Sequence, residues 1–304
     1  MGVSLTIGVD IGGTKVAAGV VDEDGRIIAR AMRQTPDRST APSVVEAVIV
    51  EAVEELRREH NVSAVGIGAA GFVDANGELV RFAPHLSWRE EPLRAKLMDR
   101  LNVPVFVDND ANTALWAEHR FGAAQGEENV VLVTLGTGIG GALLINGRLY
   151  RGANGMAGEF GHMQLVPEGR PCECGRRGCW EQYSSGKALA RYARSAGLHL
   201  TGPSLTEAAY EGHPVACGAY VDVGKWLGIG LAGVVAAFDP AVVVVGGGVG
   251  AVGDLLLEPA RRVLGEYVVG AGHRRLPDVL PAQMGADAGL VGAAELARGL
   301  AITN

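Results

Sequence analysis

The sequence predicts an α/β protein made of two related domains. Three observations carry that reading. Apolar, β-branched runs alternate with segments of helical period. A strand–glycine turn–strand–turn–strand pattern occurs twice. Clusters of glycine sit where the apolar runs end.

The elements follow in order. LTIGVD, KVAAGVV and RIIARAM form a β-meander whose second turn is Asp22-Glu23-Asp24-Gly25. Residues 41–60 form a helix, with Val44, Val45, Val48, Val53 and Leu56 as its apolar stripe. SAVGIGAAG is a strand, EPLRAKLMDRL an amphipathic helix, VPVFVDND a strand and ANTALWAEHRFG a helix. NVVLVTLGTGIGGALLINGRLYRG then repeats the opening meander, with Asn146-Gly147 as its tight turn. A Cys-rich loop, a helical stretch over 214–238, the strand AVVVVGGG, a helix over 253–269, the strand PDVLPAQM and a helix over 287–298 complete the chain. The division is expected near Ala111. That gives a small α/β domain of 1–110 plus about 287–304, and a large α/β domain of 111–286 that carries the Cys-rich loop.

Composition narrows the function. The 304 residues carry a net charge of −7, and no basic run exceeds an Arg-Arg pair, so nucleic acid binding has no electrostatic support. The N-terminus lacks a basic flank and reads as a strand. The longest apolar run, between Lys225 and Asp239, has 13 residues, short for a bilayer span. The expectation is a cytoplasmic protein with no membrane partner. Three of the four cysteines, Cys172, Cys174 and Cys179, crowd together, which suits a metal rather than a disulfide framework.

The glycine turns suit phosphate. Asp10-Ile11-Gly12-Gly13-Thr14-Lys15 joins two strands and is not a Walker A loop. Its glycines expose backbone N–H groups, Thr14 adds a hydroxyl, Lys15 a charge, and Asp10 suits Mg²⁺ held through water. Gly136, Thr137 and Gly138 form the equivalent turn of the repeat, and Gly247 and Gly248 follow VVVV where a nucleoside can lie on bare backbone. A plain hairpin explains any one cluster. Three at strand ends favour a nucleotide.

Asp108, Asn109 and Asp110 end an apolar strand and open a helix. A carboxylate there either caps the helix or acts as the base that phosphoryl transfer to an alcohol needs. Asp108 reads as a cap. His162 with Cys172, Cys174 and Cys179 makes a closed, structural Cys₃His zinc site. Glu159 and Glu181 flank it, and the second nitrogen of His162 is free to meet a substrate hydroxyl. Carboxylates, an Asn and a His together suit a polyhydroxy compound. Cys217, alone, reads as a core residue.

DIGGTK at 10–15, the ND pair at 109–110, LGTGIGG at 135–141, ExGH at 159–162, CxCGxxGCxE at 172–181 and GGG at 246–248 stand in one order. Together they resemble the ROK family of sugar kinases and repressors over almost the whole chain. The resemblance implies a two-domain, actin-like ATPase fold (ribonuclease H-like, hexokinase-type) with an interdomain cleft. It implies ATP-dependent phosphorylation of glucose at its 6-hydroxyl, with Asp110 as the base. Gly71, Asn109, Glu159, His162 and Glu181 are then sugar-binding. Asp10, Gly12, Gly13, Thr14, Lys15, Gly136, Thr137, Gly138, Gly247 and Gly248 bind Mg²⁺-ATP. His162 and the three cysteines hold zinc, and a homodimer or homotetramer is the family's habit. Two alternatives stay open. One is a kinase for another hexose, such as N-acetylglucosamine, N-acetylmannosamine, fructose or allose. The other is a sugar-sensing repressor, which would carry an added DNA-binding segment ahead of the first phosphate turn.

Overall fold

The computed structural model describes residues 5–302 and divides into two compact units. The first holds the chain through Gly126, the segment Leu149–Ala157 and everything from Ala286 on; the second holds Glu127–Arg148 and Gly158–Gly285.

The chain opens with β1 (Leu5–Ile11), β2 (Lys15–Val21), β3 (Ile27–Gln34), α1 (Pro42–Arg57) and β4 (Val62–Ala69). The short strands β5 (Phe72–Val73), β6 (Val80–Phe82) and β7 (Arg89–Glu91) follow, then α2 (Leu93–Leu101), β8 (Val105–Asn109) and α3 (Asp110–Phe121). The repeat begins with β9 (Val130–Leu135), β10 (Ile139–Ile145) and β11 (Arg148–Leu149). After the Cys-rich loop come α4 (Gly186–Ser195), α5 (Gly202–Tyr210), α6 (Pro214–Phe238), β12 (Val242–Gly246), α7 (Gly247–Gly250), α8 (Asp254–Tyr267) and β13 (Asp278–Pro281). The last helix is α9 (Ala288–Ile302).

One strand order occurs twice. The first main sheet runs β3-β2-β1-β4-β8 and the second β11-β10-β9-β12-β13. In each, an antiparallel meander is extended by parallel strands: β4 and β8 beside β1, β12 and β13 beside β9. The hairpin repeat in the sequence is thus the start of a larger topological repeat. The small sheet β5-β6-β7 has no counterpart in it.

Parity along the first sheet assigns its faces. Ile7, Val9, Ile11, Val65 and Ile67 are fully buried in one core with Val45 and Ile49 of α1 and Leu97 of α2. The even positions are small because α9 lies directly on them. A Cβ at Gly8 would overlap the Leu290 carbonyl, and one at Gly66, its register partner, the Ala293 carbonyl. Gly292 of α9 likewise admits the Thr113 carbonyl of α3. This packing of α9 on β1, β4 and α3 puts α3 in the first unit. The sequence set the division before α3; the units part after it, at Gly126, and residues 149–157 also return to the first unit.

In the second unit α6 is the core helix. Its 25 residues are long and apolar enough to cross a membrane, beyond the 13-residue run of the sequence reading, yet half of its apolar window is buried within the protein. Gly224 and Gly228 bring it against the Leu256 and Ala260 carbonyls of α8, and Gly230 leaves room for the Trp180 indole. The indole donates to the Trp226 carbonyl at 2.9 Å. The helices α4 and α5, absent from the sequence reading, pack on the same α6.

Candidate functional site

In the first unit, parallel register brings polar residues to one edge of the sheet. Asp10 pairs with Gly68, and Gly68 with Asp108. The turn after β1 is closed by Gly12 N donating to the Lys15 carbonyl at 3.1 Å and tied by Thr35 Oγ1, which donates to the Gly12 carbonyl at 2.8 Å. Gly13, Thr14 and Lys15 stay exposed, so their donors are open to a phosphate. Gly13 has no side chain because the His85 Cβ lies against it.

The three polar residues at the end of β8 take different tasks. The last strand residue has the extended backbone that a helix cap needs, and Asn109 fills that place. Its Oδ1 accepts from Ala111 N at 2.8 Å and Asn112 N at 3.3 Å, while its Nδ2 donates to the Gly71 carbonyl at 3.0 Å. Asp108 is therefore not the cap, as the sequence reading had it. Its carboxylate is 2% exposed and carries four hydrogen bonds. Oδ1 accepts from Asn109 N and Asn112 Nδ2, each at 2.8 Å; Oδ2 accepts from Arg151 Nε at 2.9 Å and Nη2 at 2.6 Å.

Asp110 is the first residue of α3 and part-buried. Burial, and then the charge of Asp10, push its carboxyl up to about 6; hydrogen bonds from the Ala111 and Asp110 amides and from Asn109 oppose the rise. Asp10 is itself raised by burial, against the pull of Lys15. Asp287 adds to that rise and is held by Arg30 at 2.7 and 2.6 Å. A carboxylate of neutral-range basicity at a strand end can take a proton from an alcohol.

In the second unit, the turn after β9 leaves Gly136 and Thr137 exposed, and the Gly136 carbonyl accepts from Gly186 N at 2.8 Å. The motif Glu159–His162 is a 3₁₀ turn on β10: Gly161 packs on the Ile139 carbonyl and Gly158 on that of Gly141. It delivers His162 to the cysteines. The ligand atoms of His162, Cys172, Cys174 and Cys179 all lie within 4.8 Å of one another. His162 Nδ1 is 3.7 Å from Cys172 Sγ, and Cys174 Sγ 3.6 Å from Cys179 Sγ. A tetrahedral ion with bonds of about 2.3 Å to sulfur spaces its ligands by about 3.8 Å, so the four fit zinc. Gly178, at φ +75°, admits the Val166 carbonyl where any side chain would clash. Glu181 bridges to the turn after β9: Oε1 accepts from Cys172 Sγ at 3.0 Å, and Oε2 occupies the space a Cβ at Gly138 would need.

A cavity of about 980 Å³ opens beside that turn. Gly136, Thr137 and Gly248 border it, with Lys187 and Ala190 of α4, Thr206 and Tyr210 of α5, and Tyr220 of α6. Gly248 thus reaches the cavity, whereas Gly247, at φ +78°, is packed against the Leu135 backbone. The helical walls went unread in the sequence because α4 and α5 carry no phosphate or metal motif. Arg151 was missed as well; its partner lies 43 residues away.

The doubled sheet order, with a glycine turn after the first strand of each copy, is the fold of the actin-like ATPases. Within that class the chain belongs to the ROK family, whose profile it matches over residues 6–299. The glucokinase of Streptomyces coelicolor is 46% identical over 97% of this chain and 98% of its own. The crystal structure of a ROK family glucokinase from Streptomyces griseus, in complex with glucose and AMPPNP, is 46% identical with a TM-score of 0.88, over 97% of this chain and 100% of that one. The ROK hexokinase of Thermus thermophilus is 36% identical with a TM-score of 0.82, over 99% and 100%.

Proposed function

We propose that the protein is an ATP-dependent glucokinase with Asp110 as its base. The observation that carries this is the Asp110 carboxyl at the start of α3, raised to about 6, in a chain 46% identical to glucokinases. Asp110 takes the proton of the sugar 6-hydroxyl as that oxygen bonds to the γ-phosphorus, and the bond to the bridging oxygen breaks to release ADP. Asn109 and Gly71 orient the sugar beside the base, and Glu159, His162 and Glu181 bind its other hydroxyls.

Gly12, Gly13, Thr14 and Lys15, with Gly136, Thr137 and Gly138, hold the phosphates. The cavity along α4 and α5 takes the nucleoside, with Gly248 at its edge. Mg²⁺, held near Asp10, supplies positive charge to the phosphates. The three cysteines and Nδ1 of His162 would hold zinc, which would tie the loop and leave Nε2 of His162 for the sugar. The homodimer or homotetramer expected of the family is read by light scattering.

The test is coupled ADP release with ATP and a panel of hexoses and N-acetylhexosamines. Turnover fastest with glucose is expected. Turnover with none of them removes the kinase, and a stronger response to an N-acetylhexosamine moves the substrate.

A further inference from the structure

Arg151 stands on a segment that leaves the run of its neighbours. Residues 149–157 group with the first unit, while the chain on both sides groups with the second. Two anchors dock it there. Gly155, at φ +79°, sits on the backbone of Val73 and Asp74, where a side chain would overlap the Val73 carbonyl. Arg151 lies along one face of β8, with its guanidinium 5.9 Å from the Phe106 ring centre and both bonds made to Asp108 two residues on.

That pair is unequal in exposure. The Asp108 side chain is 2% exposed and that of Arg151 25%. A carboxylate so deeply buried stays charged only with a partner. Its other oxygen holds Asn109 N and Asn112 Nδ2, which lie on either side of Asp110. Asn109 in turn caps α3. The bonds form one chain: guanidinium, carboxylate, cap, base.

We propose that Arg151 is a positioning residue for the base. It holds the Asp108 carboxylate in place, and Asp108 aims the first turn of α3 and with it the Asp110 carboxylate. The proposal rests on the reading of Asp110 as the base, and it predicts an effect on the chemical step rather than on binding.

The experiment uses the full-length protein. Arg151→Ala should lower kcat by about 100-fold, since a small misplacement of a reacting group has that effect, with KM for glucose and ATP nearly unchanged. Arg151 is partly open to solvent, so added guanidinium at a non-denaturing concentration should restore much of the lost kcat. Arg151→Lys keeps the charge but not the fork, folds more safely and should fall between. Hydrogen exchange across residues 105–115 reads the same anchor without turnover: it should speed up in Arg151→Ala and slow again with guanidinium. Full kcat in both variants overturns the proposal. So does a loss of thermal stability that guanidinium corrects while kcat stays low, or unchanged exchange over 105–115. If the wild type turns over no hexose, the kinase reading fails, and the exchange result still decides whether Arg151 holds the start of α3.

Discussion

Beyond the effect of burial, the charge of Asp10 raises the proton affinity of Asp110, although Asp10 stands on β1 and Asp110 opens α3 just past the end of β8, with β4 between those strands. Register explains their proximity, since Asp10 pairs with Gly68 and Gly68 with Asp108. A base must be unprotonated to work. With Asp110 pushed up to about 6 by burial and by Asp10, kcat should climb through that region and level off above about pH 7. Asp10→Asn should move this limb to lower pH while weakening Mg²⁺-ATP use. A kcat profile already flat from about pH 5 upward would separate the limb from Asp110.

The same shift has a stability consequence. The folded carboxyl, at about 6, binds its proton more tightly than the unfolded one, at about 3.9. Between those values the native state holds more protons, so stability falls as pH rises. The contribution is whole below the unfolded value and gone above the folded one. At neutral pH the ionised Asp110 therefore costs the fold on the order of 3 kcal/mol. Asp110→Asn should abolish turnover yet raise the Tm at pH about 7.5, with little change at pH about 4. Thermal melts at the two pH values check it; equal shifts at both would point to packing instead.

The placement of much of the candidate site was legible because its motifs are local. The glycine turns, the ExGH turn and the crowded cysteines each depend on neighbours within a few residues, and each lies where its spacing placed it. The error at Asp108 shows the limit. Helix-cap rules rank Asp and Asn alike. What separated them was where the helix starts, which puts Asn109 at the cap, while Asp108 one residue earlier is taken up by Arg151 from far along the chain. Gly8, Gly66 and Gly292 belong to no motif, and only the topology that lays α9 across the sheet explains them. The cavity proposed for the nucleoside has no short motif, since its walls come from three helices and two turns.

Gly138 should be irreplaceable for a reason other than phosphate. A methyl group there takes the place of Glu181 Oε2, whose carboxylate partner is the Cys172 thiol. Gly138→Ala should swing Glu181 away and raise KM for glucose by ~10-fold, as loss of a charged hydrogen bond does, with a smaller change in KM for ATP. Kinetics with each substrate varied in turn will show the split. An ATP effect as large as the glucose effect would mean the turn itself has moved.

Metal removal should act on the fold and the sugar together. The four ligand atoms are already gathered within 4.8 Å of one another. Purified protein should carry one zinc per chain. Chelation, or Cys179→Ser, should lower the Tm and weaken glucose binding, because the proposal gives His162 to both the zinc and the sugar. Metal analysis, a melt and glucose calorimetry are needed on one sample. Zinc loss with unchanged glucose affinity would release His162 from the sugar.

The cavity along α4 and α5 makes a separable claim about the donor. Thr137 and Gly136 line part of it, so phosphates on that turn would leave the nucleoside to fill the rest. Ala190 lies mid-way along α4, clear of the Ser185 cap and part-buried, and a large side chain there can enter the cavity without disturbing the helix start. Ala190→Trp should raise KM for ATP by ~10-fold or more, the scale of one blocked apolar contact surface, while glucose affinity stays put. Adenosine should likewise lose its ability to compete with ATP, whereas inorganic tripolyphosphate, which needs only the glycine turns, should compete as before. An unchanged KM for ATP would place the base outside this cavity, and equal losses for adenosine and tripolyphosphate would show that the indole had distorted the turn.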